Sequence, residues 1–91
     1  MKLYRHLLSQ VNETWADMHN DRQKFLSLFS ERLRGYRIKK CYTQEQLSEL
    51  AGISYKYYQE LESGKKVPSA IILVHLSEAL DVSLDDLFSA R

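Results

Sequence analysis

Ninety-one residues, 44% hydrophobic and 27% charged, suffice for one core and are too few for a two-lobed active site. One cysteine, Cys41, excludes an intramolecular disulfide, and no apolar run approaches the roughly 18 residues that a bilayer-spanning helix needs, so the chain is expected to be cytoplasmic with no membrane partner. The formal charge of +1 conceals an uneven distribution: residues 22–66 carry ten Lys/Arg against five Glu, net +5, whereas residues 1–21 sum to −1 and residues 67–91 to −3. The basic middle can attract phosphates locally, although charge alone fits an ordinary solvated face equally well.

Leu3, Leu7, Val11, Trp15 and Met18 recur at spacings of three and four, which predicts an amphipathic helix over about the first twenty positions. Arg5, His6, Gln10 and Asn12 interrupt any signal-peptide core there. The polar run His19-Asn20-Asp21 predicts a break, because Asn and Asp favour caps over helix interiors. Residues 1–21 are therefore read as an N-terminal extension and residues 22–91 as the domain. A second helix, carrying Phe25, Leu28, Phe29, Leu33, Tyr36 and Ile38 inward, is expected to end near Lys40.

Thr43-Gln44-Glu45-Gln46 has the spacing of a capping box and opens a third helix. Leu47, Leu50 and Ala51 are assigned to its inner face, with Ser48 small where a neighbour crosses. Gly52 marks a tight reversal, a position expected to need positive φ and to tolerate little bulk. Ser54 caps a fourth helix that runs to about Glu62 and stops before Gly64, with Tyr58 and Leu61 pointing inward. Two short helices joined in this way form a helix-turn-helix. Beyond the basic loop Lys65-Lys66-Val67-Pro68, Ser69 caps the most apolar helix, Ile71 to Leu80, which is expected to be largely buried. Asp81 stands where a glycine commonly ends such a helix, a conformation Asp can adopt. Ser83-Leu84-Asp85-Asp86 opens a last short helix through Phe88, and no strand pattern or internal repeat is present.

Arg37, TQEQLSELAGIS, LESGKKVPS and LSEALDVSLDDLF together resemble the Cro/repressor-like, Xre-type helix-turn-helix family over about residues 27–89. The resemblance implies an all-α, lambda-repressor-like five-helix DNA-binding domain, here with an additional N-terminal helix, commonly a homodimer on a near-palindromic operator. It places Tyr55, Lys56, Gln59 and Glu60 on the exposed, base-reading side of the recognition helix, in agreement with the inward assignment of Tyr58 and Leu61. Lys56 can donate to guanine, Gln59 can pair with adenine, Glu60 can accept from cytosine N4, and Tyr55 can touch a thymine methyl or a phosphate. Gln44 is the phosphate contact at the start of the preceding helix, with Lys40, Tyr57, Lys65 and Lys66 as further candidates. Arg37 and Glu62 resemble the structural ion pair of the family. The sequence departs from the pattern at Cys41, where glycine is usual, and in the three tyrosines Tyr55, Tyr57 and Tyr58.

His6, His19 and His75 are widely spaced, and no HExxH, glycine-rich phosphate loop or paired-carboxylate motif is present. No enzyme activity, metal or cofactor is therefore expected. The expected function is a sequence-specific regulator of transcription, a repressor, that binds double-stranded DNA as a homodimer with two recognition helices one turn apart. The alternative is an antitoxin or other protein-interaction module with a protein partner docked on the N-terminal helix; RNA binding ranks last, for want of a stacking sheet or an arginine-rich tract.

Overall fold

The computed structural model describes residues 2–88, with the side chains of residues 2–19 outside that description. The described residues form five helices and no strand: α1 (Lys2–Lys39), α2 (Gln44–Ala51), α3 (Tyr55–Glu62), α4 (Ala70–Leu80) and α5 (Leu84–Phe88). The break expected at residues 19–21 is absent, because α1 runs unbroken for 38 residues. Asn and Asp cost only a few tenths of a kcal/mol more than good helix formers in a helix interior, too little to stop a helix that is favoured on both sides. Asn20 and Asp21 are thus exposed helix-interior residues rather than caps.

The other helix boundaries follow local chemistry. The Gln46 amide donates to Thr43 Oγ1 at 3.0 Å and the Thr43 amide to Gln46 Oε1 at 2.8 Å, the reciprocal capping box. Ser54 and Ser69 accept from the amides of Tyr57 and Ile72. Ser83 and Asp86 repeat the reciprocal arrangement at the head of α5, with bonds of 3.1 and 3.2 Å. Three non-glycine or glycine residues in the left-handed region close α1, α2 and α4: Cys41 at φ 62°, Gly52 at φ 72° and Asp81 at φ 55°. At Cys41 the chain keeps the left-handed turn that glycine ordinarily supplies, so the departure in sequence does not change the local path. A Cβ built on Gly52 would meet nothing within 4 Å. Its requirement is therefore conformational, and the expected limit on bulk is not there.

Phe29, Leu33, Leu47, Ala51, Tyr58, Leu61, Leu76, Leu80 and Leu87 make one buried cluster. α2 packs on α3 and α4, α1 on α3 and α5, and α4 on α5. Phe25 stacks on Phe29 with ring centroids 5.8 Å apart at the root of α1. Ser48 is buried, as the crossing requires, and its hydroxyl donates to the Glu45 carbonyl at 2.7 Å. Three apolar assignments fail. Ile38 is 54% exposed and Leu50 57% exposed, on the outer sides of their helices. α4 is not largely buried: Leu76, Ser77 and Leu80 are inside, Ile72, Leu73 and Val74 are half-covered, and Ile71 is 58% exposed. No described helix is long and apolar enough to cross a membrane.

Candidate nucleic-acid interface

α3 owes its orientation to two kinds of anchor on its inner side. Tyr58 and Leu61, three residues apart, are completely buried. One residue further, Glu62 closes a polar network with the end of α1. Its Oε1 and Oε2 accept from Arg37 Nη2 at 2.8 Å and Nε at 2.9 Å, a two-pronged carboxylate–guanidinium pair. Arg37 Nη1 donates to the Tyr42 carbonyl at 2.9 Å, and the Tyr58 hydroxyl donates to Glu62 Oε2. One guanidinium thereby holds the end of α1, the loop before α2 and the end of α3. The Arg37 and Glu62 side chains are only 14% and 6% exposed.

The charges respond as the geometry requires. Burial by itself raises the Glu62 carboxyl, but hydrogen bonds from Arg37, Tyr58 and Gln44, with the nearby guanidinium charge, hold it below the usual carboxylate range. Arg37 is raised, chiefly by its hydrogen bond to Glu62. Tyr58 is pushed far above the ordinary tyrosine value, first by burial and then by its bond to an already anionic acceptor. Sequence reasoning paired Arg37 with Glu62 but missed Tyr58, Tyr42 and Gln44 as members of the network. The i, i+4 spacing of Tyr58 and Glu62 was the available signal for the first; a backbone carbonyl such as that of Tyr42 leaves none.

On the opposite side of α3, Tyr55, Lys56 and Gln59 are exposed together. Glu60 differs from them: it is half-buried, and its carboxylate lies 3.7 Å from Lys66 Nζ. Lys66 belongs to this pair and is itself exposed, as are Lys40 and Lys65, which lie outside it. Gln44 is half-buried at the first turn of α2, with its amide drawn toward Glu62. Tyr57 is half-buried and packs against the core cluster. The candidates therefore divide into an open trio on α3, a flanking ion pair, two exposed lysines and two residues partly tied into the scaffold. Gly64, at φ 78°, turns the chain out of α3, and a Cβ there would sit 3.6 Å from Ser30 Oγ. The turn lets Lys65 donate its amide to the Glu60 carbonyl at 3.0 Å, which brings the basic loop back to the end of α3. No group of three His, Cys, Asp or Glu among the described residues is placed to hold a metal.

This arrangement has close counterparts. The family pattern described as helix-turn-helix matches residues 33–87. The HTH-type transcriptional regulator YazB of Bacillus subtilis is 37% identical over 60 residues, covering 66% of this chain and 87% of YazB. The cryptic phage CTXphi transcriptional repressor RstR of Vibrio cholerae is 39% identical over 57 residues, 63% of this chain and 51% of RstR. Among solved structures, the restriction-modification controller protein C.AhdI of Aeromonas hydrophila superposes with a TM-score of 0.67 at 35% identity, covering 69% of this chain and 96% of that one. The chain belongs to the helix-turn-helix family of DNA-binding transcriptional regulators, and not to an enzyme family.

Proposed function

We propose that this protein is a sequence-specific repressor that binds double-stranded DNA as a homodimer on a near-palindromic operator. The observation that carries the reading is the two-sidedness of α3. Tyr58, Leu61 and Glu62 fix one side to the core and to Arg37, and the other side presents Tyr55, Lys56 and Gln59 to solvent as a set. A rigidly held helix with donors and acceptors on its free side is what a major groove accepts. In this reading Lys56 donates to guanine O6 or N7, Gln59 pairs with adenine and Tyr55 supplies apolar or phosphate contact. Glu60, steered by Lys66, accepts from cytosine N4 at the margin. Lys40, Lys65, Lys66, Gln44 and Tyr57 contact the phosphate backbone and set the register. The sign of regulation is taken from RstR, a transcriptional repressor that shares the matched region.

The test is selection of bound fragments from a random duplex pool by the full chain, followed by binding of the selected site by Lys56→Ala. An enriched two-fold-symmetric sequence is expected. Lys56→Ala should weaken it by about 1–3 kcal/mol and relax the preference at one position in each half-site. Unchanged affinity and selectivity in Lys56→Ala would remove that residue from base reading, and a pool with no enrichment would remove sequence-specific binding altogether.

A further inference from the structure

α1 consists of two unlike stretches. From Leu26 onward its inward residues belong to the domain core. Asn20, Asp21, Arg22, Gln23 and Lys24, by contrast, are all exposed. Five successive residues exceed one helical turn, so no side of the helix is covered there by the rest of the described chain. Yet the helix continues back to Lys2, and the molecule measures 59 Å along its longest axis. A helix of about twenty residues without tertiary packing is marginal in water, because most helical stability in proteins comes from covering an apolar face.

The sequence of that stretch indicates what covers it. Tyr4, Leu8, Val11, Trp15 and Met18 follow one another at alternating spacings of four and three, the repeat of a two-helix seam. The same frame passes through Arg22 and reaches Phe25 and Phe29, so the seam joins the domain core without a change of register. Charge is segregated over residues 2–21, with Lys2 and Arg5 at the start and Glu13, Asp17 and Asp21 toward the end; Arg22 and Lys24 follow beyond that stretch. Two copies lying parallel would align like charges. Lying antiparallel, they bring Lys2 and Arg5 of one copy opposite Asp21 and Asp17 of the other, with the pairing centred near Val11. We propose that residues 2–21 of α1 pair antiparallel with the same segment of a second copy of this chain. The proposal rests on the homodimer in the reading above, and not on which bases α3 contacts.

The test is sedimentation equilibrium of the full chain, without DNA, at micromolar concentration. The expected mass is twice that of the 10.7-kDa chain. Val11→Glu with Trp15→Glu should give a monomer whose domain still unfolds cooperatively. Lys2→Glu with Arg5→Glu, which leaves the apolar seam intact, should weaken the dimer about tenfold, and adding Asp17→Lys and Asp21→Lys should restore it. Spin labels on Asn20→Cys in a Cys41→Ser background should lie about 30 Å apart, against about 10–15 Å for a parallel pair. A monomeric wild type, a dimer indifferent to the Val11 and Trp15 substitutions, or tighter association on charge reversal would each overturn the proposal. A dimer that selects no DNA leaves this pairing standing and removes the reading of function, while a monomer that selects DNA does the reverse.

Discussion

α3 and α4 invert the usual association between apolar sequence and secure anchoring. α4 is the most apolar helix, with Ile71, Ile72, Leu73 and Val74 in succession, yet only Leu76, Ser77 and Leu80 are buried. α3 has the sequence YKYYQELE and is held by one buried tyrosine, one leucine and a carboxylate bound from two directions. The contrast shows that neighbours, rather than a segment's own hydropathy, decide which residues carry the fold. It also shows why α3 can leave a polar face free. Its position is set by Tyr58, Leu61 and Glu62 on its inner side, so Tyr55, Lys56 and Gln59 on the opposite side are left exposed.

The largest effects should come from inward-facing side chains of the two helices. Leu76→Ala in α4 and Glu62→Ala in α3 are each expected to cost about 3 kcal/mol, the first by a cavity and the second by leaving the Arg37 guanidinium without its partner. For a domain of this size each should lower the melting temperature by more than about 10 °C. An unchanged melting temperature in Glu62→Ala would end the comparison, since α3 would then be held by its apolar residues alone.

The network should also make stability depend on pH in a defined direction. The folded protein holds Glu62 below the ordinary carboxylate value of 4.5. Its contribution is therefore fully present above that value and is lost as pH falls through the depressed folded value. Tyr58 acts at the other limit: its folded value is raised, so its contribution is complete below the ordinary tyrosine value of 10.0 and declines as pH rises beyond it. Denaturant midpoints across pH should show both limbs in the wild type, with the acid limb reduced in Glu62→Gln.

Smaller effects refine the contrast. Tyr58→Phe keeps the buried ring and removes one donor to Glu62, for an expected loss of about 1 kcal/mol. Ile71→Ala, in the more apolar helix, should cost less than about 0.5 kcal/mol because its side chain is already mostly in water. If Ile71→Ala proved as damaging as Tyr58→Phe, another surface would have to cover that side of α4 in solution.

Much of the fold was legible because helix starts and stops are written in short-range chemistry. Thr43 with Gln46, and Ser54, Ser69 and Ser83, each satisfy an amide within three residues, and Asp81 adopts the left-handed turn its side chain permits. The readings that failed were those that depend on distant partners. Nothing near Ile38, Leu50 or Ile71 says that their neighbours lie elsewhere, and the polarity of His19-Asn20-Asp21 suggested a break where helix propensity alone is too weak to impose one. At the candidate interface, the inward positions Tyr58 and Leu61 followed from spacing. Glu60's pairing with Lys66 and Gln44's orientation toward Glu62 depend on how a loop and a helix end fold back, which spacing does not encode.

Because α1 runs without interruption from the exposed turn at Asn20–Lys24 to Arg37, it behaves as a shaft with no universal joint. One residue inserted into that exposed turn would rotate everything on its N-terminal side by about 100° relative to α3 and displace it by about 1.5 Å, whereas seven would return it to within about 20° of its original azimuth. The heading of the N-terminal segment around the domain is therefore counted in residues, and length changes in this stretch should be tolerated by phase rather than by size.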